Sequence, residues 1–405
     1  MPFALDGLRV LDVSQVMAGP FCCLLLADMG ADVIKIEKPK SGDDARRMGP
    51  PFINGESAAF MAMNRNKRSL ALDLKHPEGK RVFHQLASRA DVIVENFRPG
   101  TMDELGLGYA KLSQDHPELI YCSISGYGQT GPYRERGGFD LVAQGMAGLM
   151  SITGHPGQPP VKVGVPIADL NAGMYAAYGV LCAYVHRLRT GRGQLVDTSL
   201  LEGGIAYTVW ESAIYFATGT IPPPMGSAHR LAAPYQAFRT ADGYITVGAA
   251  NQANWEKLCA VLERPDLLSD PRFRDNPSRT VHATELAAEL ELVFATRLLA
   301  EWLARLEAAG MPAGPVNDIA AVYADPQVRA REMMVEIEHP IAGRVKNIGL
   351  PVKLSETPGT IRRPAPTLGQ HTHEVLSELG LGPPEIAALR AEGVVAGGNP
   401  AATPE

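Results

Sequence analysis

The chain has 405 residues, with 38 Lys and Arg against 44 Asp and Glu for a formal charge of −6, and no long run of one sign. That balance gives no bulk attraction to nucleic acid or to an anionic membrane surface. With 45% hydrophobic and 20% charged residues the profile is that of a soluble globular protein of two or three domains, in which only Ala396 to Glu405 reads as a disordered tail.

The first residues carry neither a basic n-region nor an apolar h-region, and the apolar stretches are broken by Gly or charge. Neither a signal peptide nor a membrane span is expected, and five cysteines without metal or C-x-x-C spacing fit reduced, mostly buried thiols in the cytoplasm. Leu8–Val13 reads as a strand, Phe21–Met29 as a helix stopped by Gly30, and Val33–Glu37 as a second strand. Leu70–Leu74, a helix opened by Pro77-Glu78, and the strands Asp91–Glu95 and Leu119–Ile124 follow. Strands separated by helices imply crossover connections and a parallel sheet covered on both faces, an α/β fold. A long helix from Leu170 to about Arg189, a strand over Gln194–Thr198 and a helix from Leu200 to Ala217 continue the pattern until Ile221-Pro-Pro-Pro224 breaks it.

Beyond Ala233 the texture changes. Tyr235–Thr240 and Tyr244–Val247 flank Asp242-Gly243 as a hairpin, and helices over Asn254–Leu262, Ala283–Ala295 and Leu298–Ala309 make a smaller α+β domain. Short strands near Met334–Glu338 and Val345–Pro351, a proline-rich stretch to Pro366 and two short helices close the chain. The expected division is a large domain over 1–200 completed by about 340–405, a linker over 201–224, a small domain over 225–329 and a return linker over 330–366.

Glu37 ends the second strand, where a dinucleotide fold places an acid for ribose hydroxyls, but Gly19 stands alone without G-x-G-x-x-G, and the NAD reading fails there. Lys38, Arg46-Arg47, Asn64 to Arg68 and Lys75 sit around strand ends, where basic groups suit a polyphosphate such as coenzyme A; solvated surface charge explains them equally well. Asn96-Phe-Arg-Pro-Gly100 and Gly137-Gly-Phe-Asp140 lie in strand-to-helix loops, as function or as turn and cap chemistry. Asp169 stands at the mouth of the long helix, a natural N-cap and also a place where a nucleophilic carboxylate is held among donors. His371 and His373 are two apart and diverge on a helix, so they share no metal, and no G-x-S-x-G elbow occurs.

Gly7-Leu-Arg-Val-Leu-Asp12, Ala18-Gly-Pro20, Gly30-Ala-Asp-Val-Ile-Lys-Ile-Glu37, Asn64-Arg-Asn-Lys-Arg-Ser69, Val94-Glu-Asn-Phe97 and Gly126-Tyr-Gly-Gln-Thr-Gly-Pro132 form an ordered series. With Asp169 and its helix, Thr190-Gly-Arg-Gly193, Ala233-Pro-Tyr-Gln-Ala-Phe238, Asp325-Pro-Gln-Val328 and Leu368-Gly-Gln-His-Thr372, the series resembles the class III CoA-transferases, the CaiB/BaiF family, over nearly the whole chain. The resemblance implies a large Rossmann-like domain, a smaller α+β domain, an interlocked homodimer, and an acyl-CoA:carboxylate CoA-transferase with Asp169 as its catalytic aspartate. Coenzyme A enters as a thioester substrate, and no permanently bound cofactor or metal is implied. Met17, Ala18, Lys38, Leu72, Lys75, Asn96, Phe97, Arg98, Gly137, Gly138, Phe139 and Asp140 match coenzyme A contacts, with Lys38 in place of a frequent arginine.

Gly42-Asp-Asp-Ala-Arg46, Met48-Gly-Pro-Pro-Phe52 and Gly226-Ser-Ala-His229 are nearer the members that use succinyl-CoA and dicarboxylates such as glutarate. Arg46, Arg47, His229 and Arg230 are the candidates for the second carboxylate. Two other readings stand beside this one. An α-methylacyl-CoA racemase or epimerase of the same fold needs a histidine where Gly138-Phe-Asp140 stands, and Phe139 moves no proton. A non-catalytic CoA-binding subunit would have no use for Asp169.

Overall fold

The computed structural model describes residues 3–397, which divide into two units. The first comprises the described residues of Met1–Met150, Lys162–Gly219 and Arg329–Glu405, and the second Ser151–Val161 and Thr220–Val328. In the first unit, β1 (Arg9–Asp12), β2 (Asp32–Glu37), β3 (Lys67–Leu72), β4 (Val92–Glu95), β5 (Ile120–Ser125) and β6 (Leu195–Ser199) pair in parallel. A short antiparallel strand, β7 (Val395–Ala396), closes one edge and gives the order β7-β3-β2-β1-β4-β5-β6. Ala396, read from sequence as the start of the tail, pairs with Ala71; residues 398–405 of that tail lie outside the described residues.

Alternation along the strands makes two cores. Leu11, Ile34, Leu70, Ile93 and Tyr121 face the helix Pro77–Ala87 and the C-terminal helices, while Val10, Val33, Val92 and Ile120 face α1 (Ala18–Asp28) and α2 (Ile167–Thr190). The helix α1 starts three residues earlier than Phe21, because Gly19 and Pro20 are tolerated in a first turn whose N–H groups have no helical partner. All five cysteines are unpaired; Cys182 is exposed on α2 and the others are buried.

Residues 201–218, part of the 201–224 segment counted above as linker, are mostly helical: Leu200–Ile205 and Val209–Thr218 belong to the first unit. The apolar spacing that predicts a helix there prevails, and the stop is Gly219, left-handed at φ 72°. The second unit holds the hairpin Tyr235–Arg239 and Tyr244–Gly248, extended by Ala313–Pro315, around Trp255, Phe238, Phe294 and Trp302.

The same alternation that buries Val10 and Val33 turns Asp12, Lys35 and Lys67 toward α1, all fully buried. Lys67 Nζ lies 2.8 Å from Asp12 Oδ2 and donates to Pro20 O and Asn64 Oδ1 at 2.9 Å each. Lys35 Nζ lies 2.8 Å from Asp43 Oδ2 and 3.7 Å from Asp12 Oδ2, and the Ser14 hydroxyl donates to Asp12 Oδ1. Burial alone would raise the Asp12 carboxyl, but the Lys35 and Lys67 ammonium groups prevail and lower it from 3.8 to about 2.

Lys67→Met strips Asp12 of its nearest cation and is expected to cost about 3–5 kcal/mol in urea unfolding, since a buried charge that loses its partner is far dearer than the pair. Because the Asp12 pKa is lower folded than unfolded, its contribution is complete above 3.8 and fades as pH falls toward about 2. An acid titration of unfolding is expected to show that loss in the wild type and to show it weakened in Asp12→Asn.

Candidate active site

Asp169 is the third residue of α2. It is not the N-cap: Pro166 holds that position and offers no side-chain cap. The cap comes from elsewhere in the sequence. Asp140, first residue of the helix Asp140–Met146, accepts from the N–H of Ala168 at 2.9 Å and of Asp169 at 3.4 Å through Oδ1. Buried Gln144 holds Asp140 in turn, its Nε2 donating to Oδ2 at 2.6 Å. The α2 donors that could have stabilised the Asp169 carboxylate are thus spent on Asp140. The Asp169 carboxylate has no hydrogen-bond or ion-pair partner among the described residues, and its pKa is raised from 3.8 to about 7, first by burial and then by the Asp140 charge.

Around Asp169 lies a cavity of about 150 Å³ lined by Ala18, Asn96, Phe97, Arg98, Gly137, Gly138 and Phe139, with Ser125 and Arg136. Its floor depends on two glycines. A Cβ on Gly126 would stand 2.8 Å from the Gly138 Cα, and one on Gly138 would stand 2.5 Å from the Gly126 Cα, so the two backbones touch where no side chain fits. Phe139 is 78% exposed and carries no proton to transfer. Neither Arg98 nor Arg136 has a carboxylate within 4.0 Å among the described residues; the Arg136 guanidinium lies over the Tyr133 ring at 3.8 Å.

A second cavity of about 410 Å³ opens beyond the carboxyl ends of β1, β2 and β3, the side of an open parallel sheet where ligands bind. Lys38, Leu72, Lys75 and Phe97 line it, joined by Lys40, Val13, Ile36 and Leu74. Phe97 faces both cavities. Its loop is fixed by Glu95, which accepts from the Phe97 N–H at 2.8 Å, and by Asn96, whose amide grips the Gln15 main chain with two 2.8 Å bonds. Lys38 is half-exposed, 3.6 Å from Asp44 Oδ1 and donating to Gln15 Oε1 at 3.3 Å.

Of the residues singled out from sequence, Met17 and Asp140 line neither cavity: Met17 stands at the N-cap of α1, and Asp140 caps α2. Arg46 is a structural residue and not a free substrate cation. It forms a bidentate pair with Glu37 at 2.7 Å per bond, donates to Pro366 O at 3.0 Å and lies over the Phe60 ring at 3.7 Å. The same pair, with Ser69 Oγ at 2.6 Å, occupies the Glu37 carboxylate that a ribose would need. Arg47 is exposed and paired with Asp44 at 2.7 Å. His229 and Arg230 belong to the second unit, where the His229 ring lies tilted against Tyr235 at 5.1 Å and Arg230 Nη2 donates to Pro223 O at 2.5 Å.

Lys40 lines the larger cavity and Arg136 the smaller one, and neither was singled out from sequence. Lys40 is signalled by its place two residues past Lys38, whereas nothing local marks Arg136. Among the described residues no three His, Cys, Asp or Glu side chains converge to hold a metal ion, and no helix is long and apolar enough to cross a membrane.

The family model for CoA-transferase family III matches residues 5–372. Succinyl-CoA:glutarate CoA-transferase of Mus musculus is 41% identical over 375 residues, covering 93% of this chain and 86% of that protein. Succinyl-CoA:mesaconate CoA-transferase of Haloarcula hispanica is 42% identical over 389 residues, covering 94% and 97%. The crystal structure of a CaiB/BaiF family protein from Brucella suis superposes with a TM-score of 0.84 at 39% identity, covering 94% of this chain and 100% of that one. An aspartate stripped of partners beside a lysine-rimmed cavity, on a chain matched almost end to end, leaves one assignment: the chain belongs to CoA-transferase family III, the CaiB/BaiF group.

Proposed function

We propose that this enzyme moves coenzyme A from succinyl-CoA to a dicarboxylic acid, with Asp169 as the nucleophile. The observation that carries the reading is the partnerless Asp169 carboxylate in its cavity. Relatives of about 40% identity that are named for succinyl-CoA with glutarate or mesaconate support the substrate class.

The donor nucleotide fits the larger cavity, with Lys38, Lys40 and Lys75 toward the phosphates and Leu72 and Phe97 against apolar parts. Asp169 attacks the thioester carbonyl carbon; the C–S bond breaks, giving a mixed aspartyl anhydride and CoA thiolate. The thiolate attacks the Asp169 carbonyl, releasing succinate and leaving a β-aspartyl-CoA thioester. The acceptor carboxylate then attacks that carbonyl, expelling thiolate, which takes the new acyl group and frees Asp169. Each step exchanges one activated acyl bond for another, so the reading calls for no resident cofactor. Every covalent form is neutral at Asp169, so acylation relieves the repulsion from Asp140 that raises the resting carboxyl. Ala18, Asn96, Arg98, Gly137 and Gly138 shape the cavity in which this occurs.

Arg46 is engaged by Glu37 and Arg47 by Asp44, and neither is proposed for the far carboxylate of the substrate. We propose a homodimer as well, working in the cytoplasm. Tyr178 and Leu188 on α2, with Val209 and Phe216 beyond it, are between 65% and 81% exposed, a large apolar surface of the first unit that suits burial against a second copy.

Asp169→Ala and Asp169→Asn are expected to reduce CoA transfer to background while CoA binding and folding persist. Hydroxylamine added with succinyl-CoA is expected to mark Asp169 and no cysteine by peptide mass spectrometry. Since only the ionised carboxylate attacks, kcat/KM for the donor should rise with pH through about 7 and fall on the acid side; a profile flat from pH 5 to 8 would contradict the assignment.

Four- to six-carbon dicarboxylates are expected to exceed butyrate by kcat/KM, because the partner of a desolvated carboxylate is worth about 2–5 kcal/mol. Sedimentation at micromolar concentration is expected to give a dimer; a monomer would refute the assembly alone.

A further inference from the structure

The segment between β1 and α1 is a strained turn. Val16 has φ 67°, a left-handed conformation that a β-branched residue adopts at a cost, and the Met17 N–H donates to Gln15 O at 3.0 Å across it. A positive φ under such a bond from residue i+2 to residue i marks the rare form of the three-residue turn. Such a conformation persists only where its surroundings over-determine it, and here they do. The Gln15 N–H and C=O are both held by Asn96, at 2.8 Å each. The Val16 N–H donates to Asp43 Oδ1 at 3.0 Å. Asp43 is itself immobilised: its Oδ1 also accepts from the Ala45 N–H at 2.9 Å, and its Oδ2 lies 2.8 Å from the buried Lys35 Nζ.

The turn separates the two cavities: Gln15 lines the one rimmed by lysines and Ala18 the one that holds Asp169. If φ at Val16 returned to the ordinary negative region, both residues would shift relative to one another. The reach of a thioester from the nucleotide cavity to Asp169 would change with them.

We infer that Asp43 is a positioning residue, which through its bond to Val16 holds the Gln15–Ala18 turn in its left-handed form and keeps the coenzyme A cavity in register with Asp169. The inference rests on the transferase reading for its consequence in rate and on the geometry alone for the bond.

Four variants test it, assayed as full chains with succinyl-CoA and glutarate. In Val16→Pro the ring fixes φ near −65° and removes the N–H, which takes one bond from Asp43 but leaves its contacts with Ala45 and Lys35 in place. It should fold with a Tm near that of the wild type, while kcat falls by about 10²-fold, the scale of a misplacement of about 1 Å, with donor KM changed much less. Val16→Gly takes positive φ freely and should retain at least about ten times the kcat of Val16→Pro. Asp43→Ala should lose kcat in the same way, and Asp43→Ala with Val16→Gly should recover part of it, a rescue that general destabilisation would not give.

If Asp43→Ala strands Lys35 and fails to fold, the two Val16 variants decide. Hydrogen exchange of the peptide spanning the turn supplies a readout free of activity: it should be faster in Val16→Pro at residues 15, 17 and 18. Val16→Pro with wild-type kcat or unchanged exchange overturns the inference, as does a folded double variant no faster than Asp43→Ala. A wild-type chain that transfers no CoA would sink the proposed function instead, and the exchange comparison would then judge the turn by itself.

Discussion

Asp12, Lys35, Asp43 and Lys67 form a neutral quartet of two acids and two bases sealed between the sheet and α1, and the rest of the first unit is built around it. Each charge alone would be costly to strip of water, and together they are tolerable only in one arrangement. That arrangement ties three adjacent strands to the start of α1, because Lys67 also holds the Pro20 carbonyl and Lys35 the Ser14 carbonyl. A hydrophobic cluster of the same volume could slide; this one has a register. A second paired layer, Glu37 with Arg46 and Ser69, continues it toward the proline-rich stretch at Pro366. The polar centre thus fixes the strand ends from which both cavities are made.

Much of the fold was legible because period-two apolar runs and glycine or proline stops dominate in a parallel sheet buried on both faces. Val33–Glu37 and Asp91–Glu95 differ from the observed strands by one residue at most. What local pattern could not show was which charged residues go inside. Arg46 and Lys67 look alike in sequence as basic residues around strand ends, yet one is clamped by Glu37 and the other lies fully buried beside Asp12. The distinction depends on partners as far away as residue 366. Asp169 was legible as a helix-mouth carboxylate, but its cap was misplaced: the donors of α2 go to Asp140, 29 positions earlier, which no spacing rule reveals. The clamp of Asn96 on Gln15, 81 residues apart, was hidden for the same reason.

The two cavities carry charge differently. Lys38, Lys40 and Lys75 share the larger one with Glu37, Asp43 and Asp73, whereas Arg98 and Arg136 stand at the smaller one with Asp169, whose carboxyl is made reluctant to ionise by burial and by the nearby Asp140. Phe97 stands at the boundary between them, an apolar divider.

The contact between Gly126 and Gly138 has a consequence for how this family could change. Those two residues pinch the intervening segment into a loop with a closed neck, since their backbones meet without side chains between them. Residues on the far side of a fixed neck can be lengthened, shortened or replaced with little leverage on what lies below it, and closing a longer loop costs only slowly more. The tip that carries Tyr133 and Arg136 is therefore open to variation, while Asp140 and the helix it caps stay where they are. The tip that carries Tyr133 is thereby set apart from the helix that Asp140 caps by a single backbone contact.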